Sequence, residues 1–299
     1  MFHAPILHAD INMQIPIVFI TDNNYALPTG VAITSLIINK KPETIYKIHV
    51  IVTNDVTEEN KEKLLTNGKE NVSIDLIEID ISFLEKYRKP THPVPPCGLL
   101  KFKIPGLFPQ YDKMIYLDGD ILVKDDLTEF FNIDISNFYL GAVSDFPALK
   151  WIHSNKRMYQ KDYFNSGVLL LNTKLMINNN FEERAFQIKD ENYDLKYFMD
   201  QDVFNLITEE NVFYFHIKYN AMINIYKSFF SDIIAEFNLH YNTLYDSYDD
   251  LYHDTVIVHL PSIKPWIYKN VFYHNEWMQY FKQSPFKDLK LKLKSYNKR

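Results

Sequence analysis

Ile17-Val-Phe-Ile-Thr21-Asp22-Asn-Asn24-Tyr25 is an apolar, β-branched run that stops at a cluster of turn-forming side chains. That is the pattern of a buried strand running into its terminal loop. Residues 29–39 follow, with Val31, Ile33, Leu36 and Ile37 mostly on one helical face. A second strand is expected at 47–53, then a helix capped by Thr57 with Glu58 and Glu59 in its first turn, then a third strand at 72–79. Strand, helix, strand, helix, strand within eighty residues predicts an α/β fold, its central sheet mostly parallel and flanked by helices. Further strands are expected at 114–117, 139–144, 167–172 and 256–259. Ligands of such sheets gather beyond the carboxyl ends of the strands. Asp22 and Asn24 at such an end can hydrogen-bond a base or ribose and Tyr25 can stack on it, or the three are simply loop residues.

Composition removes several classes of function. The chain has 299 residues, 46% hydrophobic and 15% aromatic, which is globular rather than disordered. Its seven glycines lie at 30, 68, 98, 106, 119, 141 and 167, too far apart for a dinucleotide fingerprint or a P-loop. Cys97 is the only cysteine, so an intrachain disulfide, a redox pair and a cysteine-cage zinc site are all excluded. It reads as an ordinary small apolar residue beside a Pro-rich loop at 90–96, and a reducing cytoplasmic setting fits. The net charge of −6 divides unevenly: residues 282–299 hold seven basic side chains against one acid, so the tail is +6 and the rest −12. An acidic body argues against nucleic acid. The tail is suited to an anionic membrane surface, or it is simply a solvated, frayed terminus. No apolar run approaches the roughly 18–20 residues of a membrane-spanning helix, and the first fifteen residues lack the basic start of a signal peptide. The expectation is a cytoplasmic protein, peripheral on the inner face of the membrane.

Three segments can carry chemistry. Lys113-Met-Ile-Tyr-Leu-Asp118-Gly119-Asp120 ends a buried strand in two carboxylates at i and i+2, which share one face on extended backbone and can reach one hard cation. Gly119 leaves room for a bulky ligand. The plain alternative is a solvated strand end. Val256-Ile-Val-His259 ends another strand in an imidazole able to favour Mn²⁺ over Mg²⁺, with Lys264 and Trp266 just beyond. A histidine there is otherwise a packed one, while the Lys264 ammonium can neutralise a phosphate. In Phe164-Asn165-Ser-Gly-Val-Leu-Leu-Leu-Asn172 and Asp200-Gln201-Asp202, the polar residues Asn165, Asp200 and Gln201 adjoin apolar runs, a composition suited to sugar hydroxyls. The plain alternatives are a turn at Asn165 and a helix capped by Asp200 that runs through Ile207.

Taken together and in this order, Asp22-Asn-Asn24-Tyr25-Ala, Tyr116-Leu-Asp118-Gly-Asp120, the Asn165 and Asp200 segments and His259-x4-Lys264-Pro-Trp266 resemble glycosyltransferase family 8. This family includes bacterial lipopolysaccharide galactosyl- and glucosyltransferases and glycogenin. The resemblance covers about residues 16–270. It implies a GT-A fold at 14–270, followed at 271–299 by a C-terminal helix and the basic tail. It also implies Mn²⁺-dependent transfer of galactose or glucose from a UDP-sugar to a glycan or glycolipid acceptor with retention of anomeric configuration, Mg²⁺ being a possible substitute. Asp118, Asp120 and His259 would then hold the metal and Lys264 would meet the diphosphate. Asp22 and Asn24 would face the uridine, Asn165, Asp200 and Gln201 the donor sugar, and Asp145 both sugar and acceptor. The family's usual Arg upstream of the Asp-x-Asp is Lys101 here. A UDP-sugar-binding or hydrolysing protein without an acceptor is the alternative.

Overall fold

The computed structural model of the chain describes residues 14–88, 96–154, 162–191, 199–208, 211–227 and 230–296. Strands β1 (Gln14–Thr21), β2 (Ile45–Thr53) and β3 (Val72–Ile79) pair in parallel, linked by helices Ala26–Ile38 and Glu58–Leu65. Thr57 caps the second helix, its Oγ1 accepting from the Asn60 N–H at 3.3 Å, with Glu58 and Glu59 at the positive end of the helix dipole. β4 (Met114–Leu117) pairs with the other side of β1, so the winding direction of the sheet reverses between them. With β6 (Leu140–Ser144), β7 (Phe164–Leu171) and β8 (Val212–Tyr214), the order is β3-β2-β1-β4-β7-β6-β8. β7 runs antiparallel to both its neighbours, while every other pair in this sheet is parallel. The expected mostly parallel sheet is therefore present.

The reversed β7 is what builds the site. The carboxyl ends of β1, β4 and β6 run into Asp22, Asp118 and Asp145 at one edge of the sheet, and a strand entering from that edge brings its first residues there too. Ser144 pairs with Phe164 and Leu117 with Val168, so Asn165, Ser166 and Gly167 lie between the ends of β6 and β4. A ribbon of β5 (Ile121–Val123) and β9 (Ile257–His259) pairs Ile121 with His259. Strands β5 and β8, three residues each, are absent from the sequence expectation, and β7 begins at Phe164 rather than 167.

Both faces of the sheet are covered, as a parallel sheet requires. Along β1, Ile17 and Phe19 belong to one apolar cluster and Val18 and Ile20 to the other. Helix Ala26–Ile38 is buried nearly all round rather than on one face. The C-terminal segment accounts for this. Helix His274–Phe281 brings Trp277 and Phe281 into the same cluster, and the Phe286 ring lies so close that a Cβ on Gly30 would be 2.3 Å from it. Nor is the tail frayed through residue 296: Lys294 N–H donates to Ile267 O at 2.8 Å, and the Tyr268 and Tyr296 rings lie 5.3 Å apart. Most of the Pro-rich loop, Phe198 and the last two basic residues fall outside the described residues.

Candidate active site

Asp118 leaves the end of β4, its N–H donating to Gly167 O at 2.8 Å. The chain then turns at Gly119 and Asp120 before β5 begins, so the two carboxylates converge through a turn and not by strand alternation. Asp120 is also buried, 8% exposed, and is not a solvated strand end. The space a Cβ would fill at Gly119 belongs to the protein itself, because Thr29 Oγ1 would be 2.3 Å away, so no ligand room lies there.

His259 joins the pair through the ribbon, where Leu260 N–H donates to Asp120 O at 2.9 Å. His259 Nε2 lies 3.3 Å from Asp120 Oδ1 and 3.8 Å from Asp118 Oδ2. One ligand atom from each of the three residues falls within 4.8 Å of the others. Two carboxylates and an imidazole converging on one point are a donor set that fits a divalent cation.

Two lysines balance this charge. Lys264 Nζ is 2.5 Å from Asp120 Oδ2 and 2.8 Å from Leu260 O. Burial alone would raise the Asp120 carboxyl, but the ammonium of Lys264 and the imidazole of His259 hold it well below the usual carboxylate range. Lys101, only 5% exposed, reaches Asp200 Oδ2 at 2.7 Å, Ser166 O at 3.1 Å and Asp118 Oδ1 at 3.2 Å. Burial pulls its ammonium down, yet the Asp118 and Asp200 carboxylates outweigh that and keep it above the usual lysine value. With Ser166 Oγ at 3.4 Å as well, the oxygens around Lys101 occupy every direction its ammonium protons can take, so Lys101 is bound in place.

Asp200 opens helix Asp200–Ile207 but does not cap it. Its carboxylate accepts from Lys101 and from Ser166 Oγ at 2.9 Å instead, and Met199 before it takes a left-handed φ of 44°. Asn165, Gln201 and Asp145 form one buried cluster. Asn165 Nδ2 donates to Asp145 Oδ2 at 3.2 Å and to Gln201 Oε1 at 3.1 Å, and Gln201 Nε2 donates to Asp145 Oδ2 at 3.1 Å. Burial pushes the Asp145 carboxyl up, opposed by the Ala148 N–H and by these two amides. Asn165 is thus a strand residue and not part of a turn.

The loop after β1 is divided in role. Asp22 is buried, and its Oδ1 accepts from the Tyr25 N–H at 2.9 Å, while Asn24 is exposed at the rim. The Tyr25 ring meets Trp266 edge-on at 6.0 Å, with Lys264 Nζ 5.8 Å from its centre. Burial first, then Asp120 and Asp118, raise the Tyr25 phenol, so it stays protonated.

Residues 16–270 match the family described as glycosyl transferase family 8. The chain belongs to that family. It is 28% identical over 214 residues to general stress protein A of Bacillus subtilis, covering 70% of this chain and 74% of that one. It is 27% identical over 282 residues to a lipopolysaccharide 1,2-glucosyltransferase of Escherichia coli, covering 90% and 75%. Of two other curated relatives the chain spans 50% and 62%. The galactosyltransferase LgtC, solved in complex with donor and acceptor sugar analogs, superposes with a TM-score of 0.73 over 90% of this chain and 96% of its own, at 22% identity, which establishes the shared fold. The chain is therefore a glycosyltransferase of the GT-A fold.

The structure brings together Asp118, Asp120, His259, Lys264 and Lys101, and beside them Asp200, Gln201, Asn165 and Asp145. The sequence reading misses three contributors. Tyr116 donates its hydroxyl to Asp118 Oδ1 at 2.5 Å, Ser166 bonds Asp200, and the fully buried Asn220 accepts from His259 Nδ1 at 3.0 Å. Asn220 follows the short helix Ile217–Tyr219 and is held beside β9 by Ala221, whose N–H donates to Ile257 O at 3.0 Å. A lone asparagine ahead of an apolar Ala-Met pair offers no local signal of this.

Proposed function

We propose that the chain transfers galactose or glucose from a UDP-sugar to a saccharide acceptor of the lipopolysaccharide kind, retaining the anomeric configuration. The observation that carries this reading is the convergence of Asp118, Asp120 and His259 beside Lys264 at the switch point between β1 and β4. These three residues would hold Mn²⁺, or Mg²⁺ in its place. When bound, such an ion supplies charge stabilisation to a departing diphosphate. Lys264, held beside the cation site by Asp120, adds a positive charge for the same phosphates, whereas Lys101 holds Asp118 and Asp200 in place. Asp22, Asn24 and Tyr25 bind the uridine side, and Asn165, Asp145, Asp200 and Gln201 line the sugar side. The named activity of the Escherichia coli relative supports the acceptor class.

Retention fits a front-face transfer. The acceptor oxygen bonds to the anomeric carbon as the bond to the β-phosphate oxygen breaks, and that oxygen takes the hydroxyl proton. Gln201 is unsuited to act as a nucleophile, because its amide oxygen already accepts from Asn165 Nδ2 and the Ser166 N–H. Incubation with a panel of UDP-sugars, with and without a lipopolysaccharide acceptor and with and without EDTA, tests the reading. Metal-dependent glycosylation of the acceptor is expected. Turnover undiminished by EDTA, or UDP-sugar hydrolysis that ignores the acceptor, overturns it.

A further inference from the structure

We infer that Asn220 is a positioning residue that fixes which nitrogen of His259 carries hydrogen and ties the cation site to the sugar-facing amides. The inference rests on the reading of Asp118, Asp120 and His259 as a cation site.

Two backbone donors orient the side-chain amides between the sugar side and His259. Gly167 N–H donates to Asn165 Oδ1 at 2.9 Å, and Ser166 N–H donates to Gln201 Oε1 at 3.1 Å. A peptide N–H only donates, so both side-chain amides must present their oxygens to it. Asn165 Oδ1 is therefore an acceptor, and the Asn220 atom 2.9 Å from it is the Nδ2 donor. The other end of that amide, Oδ1, lies 3.0 Å from His259 Nδ1. An amide oxygen only accepts, so Nδ1 carries the hydrogen. With its hydrogen placed on Nδ1, the ring turns Nε2 toward Asp120 Oδ1 and Asp118 Oδ2 as the nitrogen available to a cation. That is the tautomer a metal-ligating histidine needs, and outer partners of this kind set ligand orientation. Asn220 and His259 are both buried, with Asn220 wholly inaccessible, so water does not substitute for the amide. The same Asn220 amide holds Asn165, whose Nδ2 reaches Asp145 and Gln201, so one residue orients both halves of the site.

The test uses the full chain and reads Mn²⁺ binding by electron paramagnetic resonance of the free ion, independently of turnover. Asn220→Ala is expected to weaken Mn²⁺ binding about 10–100-fold and to reduce the preference for Mn²⁺ over Mg²⁺, since the imidazole favours the former. Asn220→Asp keeps an acceptor for Nδ1–H but sets it against Asn165 Oδ1, so Mn²⁺ affinity falls less than in Asn220→Ala while kcat falls. Circular dichroism confirms that each variant is folded. Wild-type affinity in Asn220→Ala overturns the proposal, as does an equal loss in folded Asn220→Asp. Nitrogen NMR of the His259 ring in the cation-free wild type gives a check without variants: hydrogen on Nδ1 is expected, and an Nδ1 without hydrogen refutes the inference. A wild-type protein that binds no Mn²⁺ sinks the cation-site reading itself and the inference with it, a result distinct from any variant's.

Discussion

Gly167→Ala is a sharp test of the site because the required space is known. No glycine among the described residues has a positive φ, so what Gly167 supplies is room and not backbone freedom. A Cβ there would lie 2.3 Å from His259 Cε1 and 2.8 Å from Asp118 Oδ2. Ordinary contact begins near 3.4 Å, so the ring would have to retreat by 1.1 Å (3.4 against 2.3) and the carboxylate by 0.6 Å (3.4 against 2.8). Metal–ligand distances tolerate only about 0.2 Å. His259 has no easy retreat, being held by Asn220 on one side and by its pairing with Ile121 on the other. Overpacking should cost about 1–3 kcal/mol of stability, which urea denaturation measures. Displacing two ligands should weaken Mn²⁺ binding by at least about 10–100-fold, and misplacing the reacting groups by about 1 Å should cost on the order of 10²-fold in turnover. The assays are Mn²⁺ titration and initial rates at saturating UDP-hexose. A folded Gly167→Ala protein with wild-type affinity and turnover would refute the claim that His259 and Asp118 act at this separation.

Asp126 tests electrostatics away from the site. Its Oδ1 accepts from the Thr128 N–H at 2.9 Å and its Oδ2 from the Lys41 N–H at 2.8 Å, and although burial raises its carboxyl, contacts with Thr128, Thr44 and Lys41 outweigh that and hold it low. A depressed carboxyl stabilises the fold above its unfolded value of about 3.9 and loses that contribution as pH falls through the folded one. Asp126→Asn should therefore cost about 1–3 kcal/mol at pH 7 and progressively less below pH ~4; a pH-independent difference in urea midpoints contradicts this. Gln201→Ala should slow turnover yet leave α-linked product from an α-linked donor, as judged by NMR of the product; a β-linkage ends the retaining assignment. For the tail, Phe286 is buried against Gly30, so removing all of 282–299 would damage the fold itself. Changing the exposed Lys287, Lys290 and Lys292 to Gln avoids that problem. At about 1 kcal/mol per charge it should weaken sedimentation with anionic vesicles by roughly 10²-fold. Unchanged sedimentation removes the membrane role.

What was legible in the sequence was local, and what was not depended on distant contacts. The bounds of β3 and β4 and the Thr57 cap follow from runs and capping chemistry within a few residues of one another. Strands β5 and β8 are too short to show a period, and their pairing with β9 and β6 stabilises them. The Asp-x-Asp residue types point to a cation, but extended backbone is the wrong local shape, because the chain must turn at Gly119 to feed β5 beside His259. Asp200 shows the same limit. Its sequence context allows an N-cap, yet Lys101, 99 positions earlier, takes the carboxylate. An ammonium at 101 has three protons that can be directed apart, and three residues, Asp118, Asp200 and Ser166, surround it with acceptors. An arginine there would present a planar fork, which matches one carboxylate bidentately rather than three acceptors spread around a point. Lysine, where the resemblance leads one to expect arginine, therefore fits the partners this chain sets around it, a match visible only once β7 is seen to run backwards and carry Ser166 to that edge.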